Sequence, residues 1–459
     1  MDIRIINGCV VAEGNTLKRV TIYVNWGKIE KICDGEDKSI DVRREIDAAG
    51  CVIFPGIVDP HVHFDDPGFT DREDFGTGTG SAAAGGVTTI IDMPCTSLPP
   101  VINGCNFDHK LGIVRDKAYV DFAFWGGVTP AQIESGSYVR DLKELKDRGI
   151  VGVKFYTVSG METYPRMPLP LMDTAFRELR ELGLVCAVHA EDCELVDFYS
   201  DHLRNAGRTD PRSWYEGRTY EAEPAAIWSV VGIAEKAGNK LHIVHLSSKE
   251  GLHVVQWAKQ HGVDITAETC PQYLLFTVDD LMEKGSVLKI APPVREREDR
   301  EALWDGLKSG SDDFISTDHA AGIYPEEKTR ESIWDNYAGI PGVQFSLPSV
   351  LTYGYHAGRL TLEDICSLMA KNAAVRYGLY PKKGDIAVGA DADFAIADID
   401  GEWTVTPGIM ESKGKYSPLM GSKLKGRVIK TIVRGEVVYD VGKGVTGRRG
   451  FGEFVKSNL

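Results

Sequence analysis

PGIVDPHVHF, residues 55–64, decides how the rest of the chain is read. Gly56-Ile57-Val58 predicts a short buried strand. In an extended chain alternate side chains share a face, so His61 and His63 point the same way. Two neutral imidazoles on one face at a strand end can hold one divalent cation. A polar pair closing a strand is the plainer reading of this stretch taken alone.

Outward from that stretch, residues 53–383 repeat a strand-then-helix rhythm. Apolar or β-branched runs stand at 56–64, 87–94, 120–128, 149–157, 184–191, 240–247, 263–271 and 312–319. Between them lie amphipathic helical candidates such as 138–149 and 171–183, apolar at i, i+3 and i+4 and ending in Gly. Eight strands separated by helices predict parallel pairing, an α/β fold and a (β/α)8 TIM-type barrel. Its longest non-periodic stretches, 65–75 and 158–170, follow strands one and four, where active-site loops of such a barrel belong. Both chain ends read differently. Residues 1–52 and 384–459 alternate in the strand manner, with turn signals at Asn7-Gly8 and Gly27, which predicts one small β-sandwich domain built from both termini.

Bulk properties exclude some classes. The 459 residues are too many for one small core. A net charge of -15 offers no basic stripe for nucleic acid. Nine dispersed cysteines with no C-x-x-C pair read as reduced thiols. Neither a signal peptide nor a bilayer-spanning run is expected, so a cytoplasmic location with no membrane partner is the expectation.

Metal-capable residues fall at strand ends: His61 and His63 on strand one, His189 on five, His245 on six, Asp318 on eight. In a β/α barrel every strand's C-terminal end opens onto one mouth. Singly, His189 or His245 reads as a hydrogen-bonded core histidine and Asp318 as a helix N-cap; together they point to one site. The other histidines, His242 among them, read as structural or exposed. His319 stays open, next to Asp318 but on the other face. Lys154 lies in the apolar run GIVGVKFYT, where lysine is rarely buried unpaired. It could snorkel to the mouth or pair with Asp318. Alternatively desolvation leaves a neutral amine that captures CO₂ as a carbamate, an oxygen anion able to bridge two metals.

The chain resembles the cyclic amidohydrolases of the hydantoinase, allantoinase, dihydropyrimidinase and dihydroorotase group. The likeness rests on PGIVDPHVHF, TGTGSAAAGGVTTIIDMP (77–94), GVKFY, VHAE, HLSS (245–248), ETCPQYL (268–274), KIAPPVR (289–295), STDH, GDIAVGADADFAIADID (384–400) and KYSP (415–418). It implies a binuclear centre of two divalent ions, zinc first, with His61, His63, His189, His245, Asp318 and an N6-carboxylated Lys154 as ligands. In that pattern His61, His63 and Asp318 hold one ion, His189 and His245 the other, and the carbamate bridges them. Such a pair makes a bridging water ionise near neutral pH and polarises a ring carbonyl. Asp318 then takes the water's proton and passes it to the leaving ring nitrogen.

The implied substrate is a small cyclic amide or ureide, hydantoinase-like first and allantoinase second. Dihydroorotases carry an arginine two residues after H-x-H for the substrate carboxylate; here Asp65 stands there and repels it, with Arg72 as a substitute in the same loop. Ser159, where a tyrosine often contacts the reacting carbonyl, has Tyr156 and Tyr164 as rivals. Ala291 and Gly339 are the implied main-chain contacts to the ring. Phe69, Met161 and Tyr164 are candidates for the pocket wall. The resemblance also implies a homodimer or homotetramer. A non-catalytic relative serving as a scaffold is the competing class, and retention of all six ligand positions speaks against it.

Overall fold

The computed structural model describes residues 1–37 and 39–459. Its central feature is a ring of parallel strands: Ile57–His63, Val87–Asp92, Asp121–Phe124 continued by Gly126–Gly127, Gly152–Tyr156, Val185–His189, Lys240–Ile243, Ile265–Thr269, and Phe314–Ile315 continued by His319–Ala320. The third and eighth strands are each made of two pieces. Asp121–Phe124 pairs back to strand two and Gly126–Gly127 forward to strand four. Phe314–Ile315 pairs with strand seven, and His319–Ala320 closes onto strand one, with Ala320 opposite His63. The eight expected runs therefore form a (β/α)8 barrel.

The strands are buried along nearly their whole length, as parallel strands covered by helices must be. Helices Tyr138–Arg148 and Leu169–Leu182 sit where the periodicity placed them. Each stops at a glycine in the left-handed region, Gly149 (φ 88°) and Gly183 (φ 69°), where a Cβ would be penalised.

Strand one contains a kink that the site depends on. Its pairing with strand two shifts register between Asp59 and Val62. Val58 belongs to the cluster with Trp125, Ala187 and Phe314, whereas Val62 and Phe64 belong to the one shared with the helices. The extra residue reverses the alternation, so that Val62 turns outward and His61 and His63 turn inward.

Both chain ends meet in one sandwich. Val52–Pro55 runs antiparallel to Phe394–Ala397 and parallel to the strand Cys9–Ala12. A second sheet holds Ile3–Ile6, Thr21–Asn25, Lys28–Cys33 and Arg44–Asp47. Ile5, Ile22, Val24, Ile53, Phe394 and Ile432 fill the space between; each such side chain removed from water is worth about 1.5–3 kcal/mol. Pro55 ends a sandwich strand and Ile57 begins the barrel, so one piece of chain is anchored in both. A Cβ on Gly56 between them would lie 2.1 Å from Thr88 Oγ1, so this crossing needs glycine.

A buried charge cluster joins the two parts. Lys383 Nζ donates to Asp121 of strand three at 2.5 Å and to Asp393 at 2.7 Å, and lies 2.9 Å from Asp391. Burial works against its charge, yet the three carboxylates hold its pKa above the ordinary lysine value. The ammonium fills what would otherwise be a three-carboxylate cation site. Lys383→Met is expected to destabilise the chain by about 3–5 kcal/mol, because it leaves buried Asp393 without a cation while Asp121 and Asp391 keep Arg434 and Lys28. The urea midpoint reads this, and an unchanged midpoint would show the cluster to be dispensable.

Candidate active site

Ligand-type atoms converge at the C-terminal mouth of the barrel. His61 Nε2 and His63 Nε2 each lie 3.2 Å from Asp318 Oδ1. His189 Nδ1 lies 2.9 Å from His245 Nε2. The two groups adjoin: the His61 and His245 rings are 5.4 Å apart. Two of these residues adopt backbone that side chains rarely choose, His245 at φ 39° and Asp318 at φ 47°. Strain of this kind persists where the surroundings enforce it, and it turns both side chains off their strand ends into the mouth.

Partners outside the cluster orient the imidazoles. His61 Nδ1 meets Glu268 Oε1 at 2.5 Å, and Glu268 Oε2 lies 3.3 Å from His242 Nε2. Burial opposes the charge on Glu268, but the paired His61 and His242 hold its carboxyl far below the usual range. His189 Nε2 meets Glu191 Oε2 at 2.9 Å, which Arg218 pairs in turn at 3.0 Å. With those nitrogens committed as donors, neutral His61 presents a bare Nε2 and neutral His189 a bare Nδ1. Both lone pairs face into the cluster. Burial brings His61 down to about 4, which keeps it neutral.

The donor set fits divalent cations. His61 Nε2 is buried with no hydrogen-bond partner among the described residues, even though Asp318 is close. Ligands about 2.0–2.2 Å from a tetrahedral ion stand about 3.3 Å from one another, close to the His61–Asp318 and His63–Asp318 separations. His63 is raised to about 10, since Cys95 and Asp318 outweigh the opposing effect of burial. A cation bound there would displace that proton.

Lys154 is wholly buried, and its Nζ has no hydrogen-bond partner among the described residues. Its amine neither reaches solvent nor bonds Asp318; it lies 5.0 Å from the centre of the Tyr156 ring, which stacks on His189. Desolvation lowers it to about 8. The amine, bonded to nothing among the described residues and more easily deprotonated than an ordinary lysine, stands beside the His61, His189 and His245 imidazoles.

Ser159 Oγ donates to Tyr164 O at 2.8 Å and accepts from Met161 N at 3.1 Å, all within its own loop. Tyr164 OH donates to the main-chain oxygen of Lys154 at 2.6 Å, and Tyr156 OH sits 3.1 Å from Cys95 Sγ. Gly339 N donates to Lys289 O, and its carbonyl accepts from Lys328 Nζ and Tyr416 OH, so its main-chain groups already have partners. Ala291 adjoins Lys289 in the same segment. Arg72 grips Glu327 with two nitrogens, at 2.9 and 2.6 Å, and lies over the Tyr337 ring. Asp65 is fully buried with neither oxygen bonded among the described residues.

Sequence reasoning assigned no role to Glu268, Glu191, Arg218 or Asp59, and His242, read as structural or exposed, is buried against Glu268. The signal for Glu268 was an acid inside the buried run VDITAETCP, and for Glu191 an acid two residues after His189. Asp59 accepts from Thr317 Oγ1 at 2.6 Å and His61 N at 3.2 Å, tying strand one to strand eight beside Asp318. His319 turns away from the cluster onto Glu73, at 3.2 Å.

A family model described as "Amidohydrolase family" matches residues 52–438. An allantoinase of Rubrobacter xylanophilus is 38% identical over 444 residues, covering 96% of this chain and 94% of that protein. An allantoinase of Deinococcus radiodurans is 35% identical over 440 residues, covering 96% of each. Among solved structures, the L-hydantoinase (dihydropyrimidinase) from Arthrobacter aurescens matches with a TM-score of 0.93 at 32% identity, covering 99% of both chains. The dihydropyrimidinase from Brevibacillus agri NCHU1002 matches with a TM-score of 0.92 at 27% identity, covering 100% of this chain and 99% of that one. No helix among the described residues is long and apolar enough to cross a membrane.

Proposed function

Because the chain belongs to the amidohydrolase family, as a cyclic amidohydrolase of hydantoinase/allantoinase type, we propose that it opens the ring of a neutral five-membered ureide, allantoin first and hydantoins second. The observation that carries this reading is the meeting of His61, His63 and Asp318 beside His189, His245 and an unpartnered Lys154 amine. Similarity to curated allantoinases over nearly the whole chain is what supports ranking allantoin ahead of hydantoins.

His61, His63 and Asp318 would hold one divalent ion, His189 and His245 a second, with zinc the first choice for an imidazole-rich set. The Lys154 amine would add to CO₂ and lose a proton, and the resulting carbamate would supply oxygen ligands to that metal centre. Bound there, the ions supply Lewis acidity toward a ring carbonyl and toward water. The chain's own groups do the rest. Asp318 accepts a proton from the attacking water and returns it to the leaving ring nitrogen, so that one C–N bond breaks and a carboxylate forms. Glu268 and Glu191 keep their imidazoles oriented with the lone pairs inward. Tyr156 stays protonated, its pKa raised first by burial, and can donate to the developing oxyanion. Recognition of the ring is assigned to the turns that carry Ser159, Ala291 and Gly339.

Two features favour a neutral ring over one bearing a carboxylate. Arg72, the cation nearest Asp65 in that loop, is already paired by Glu327. Asp65 is itself a buried acid, raised to about 8 by burial, so a substrate carboxylate there would find no cationic fork to pair it. With Zn²⁺, Co²⁺ or Mn²⁺, allantoin or a hydantoin is expected to exceed dihydroorotate in kcat/KM by at least about 100-fold. Ring-opening assays on allantoin, hydantoin, 5-substituted hydantoins, dihydrouracil and dihydroorotate decide this. A preference for dihydroorotate would refute the substrate class, and silence on the whole panel together with less than about one bound ion per subunit after growth with ample zinc would favour a non-catalytic relative.

A further inference from the structure

Two lysines near the mouth are buried without a carboxylate partner. Lys328 is 1% exposed. Its Nζ donates to Tyr337 O at 2.9 Å and Gly339 O at 3.0 Å, with Lys289 O at 3.4 Å. Three carbonyls surround one nitrogen, matching the three hydrogens of an ammonium group. The neighbouring acid, Glu327, is turned to Arg72. Lys289, 2% exposed, repeats the arrangement on the same turn: its Nζ donates to Asn336 O at 2.5 Å and Trp334 O at 3.3 Å, over the Trp214 ring. Burying a lysine amine with no carboxylate partner is costly whichever its charge state, so each such lysine calls for an explanation.

What these two amines grip is one turn, 334–340, and that turn lies against the strand end carrying Asp318. Ala320 N donates to Ile340 O at 3.0 Å. A Cβ on Gly339 would lie 2.5 Å from Ala320 O, so the backbones approach as closely as only glycine permits. Tyr416 completes the clasp: its OH donates to Gly339 O and accepts from Gly322 N, both at 2.9 Å. Lys289 is also two residues before Ala291, so the two segments are stitched together through Lys328 Nζ and Gly339 N, which share the Lys289 carbonyl.

We propose that Lys328, seconded by Lys289, is a positioning residue that locks the 334–340 turn and the 289–292 segment into the wall that receives the substrate ring. Its effect on substrate rests on the ring-opening reading above; its hold on the turn does not. Lys328 touches no ligand-type side chain of the cluster, so it acts on substrate affinity and leaves proton transfer and metal loading alone.

The test is Lys328→Met in the metal-loaded full chain, read by hydrogen exchange, metal content and kinetics. Exchange over 336–342 is expected to quicken by at least about tenfold, with the barrel strands unchanged. On the best ring of the panel, KM is expected to rise at least about tenfold while kcat stays within about threefold and metal content is unaltered. Lys328→Gln, which keeps two donors, should fall between. If Lys328→Met does not fold, Lys289→Met carries the same expectation from the other side of the turn. Unchanged exchange over 336–342 overturns the proposal, as does uniform quickening across the barrel, which marks a merely structural role. A loss of kcat or metal at constant KM overturns it too. A wild type that opens no ring refutes the functional reading instead, while the exchange result still decides whether the lysines hold the turn.

Discussion

Lys154→Ala is expected to lose bound metal and ring-opening activity together, with kcat down by at least about 10³-fold, or about 4 kcal/mol of barrier. Short carboxylic acids such as acetate or propionate should restore part of both. The amine is sealed from solvent and bonded to nothing among the described residues, so a merely structural lysine finds no partner there. Truncation leaves a space beside the imidazoles that a small carboxylate can enter, supplying two oxygens where the carbamate would have placed them. Metal content by elemental analysis and ring opening with and without added acid read both halves. A variant that keeps metal and activity would sink the bridging role. One that loses both with no rescue would leave the lysine necessary but its carbamate unsupported.

Asp318→Asn should behave differently, and the contrast separates holding a cation from moving a proton. The amide keeps an oxygen in place near His61 and His63 but cannot accept a proton at neutral pH. General acid–base groups are worth about 10²–10⁴-fold, so kcat is expected to fall by about 10³-fold or more with much of the metal retained. The carboxyl suits this role because the facing imidazoles His61 and His63 keep it ionised although burial opposes its charge. Retention of more than a tenth of wild-type kcat would move the proton-transfer role elsewhere, with Asp59, which bonds Thr317 beside it, the next group to test.

Much of the barrel was legible because its signals are local. Eight short apolar runs at helix-length spacing, with glycines closing the helices, reflect burial and capping rules that act within a few residues. The strand-end positions of the histidines and Asp318 were equally visible. The partners of those ligands were not. Glu268 sits 207 residues from His61, and Arg218 supports His189 only through Glu191. A charged residue inside an apolar run announces that it has a partner without saying which.

By itself the sequence determined the strand-and-helix order, the metal-capable set, and the fact that His61 and His63 share a face, since side chains alternate along any extended chain. Only the tertiary structure decided which face. The register shift between Asp59 and Val62, fixed by pairing with strand two and by the bonds that tie Asp59 to strand eight, turns the two imidazoles inward and Val62 outward. It likewise settled that Arg72 is taken by Glu327 and that the Lys154 amine stands alone. Those outcomes depend on which distant groups desolvate one another, a property of packing that no run of neighbouring residues encodes.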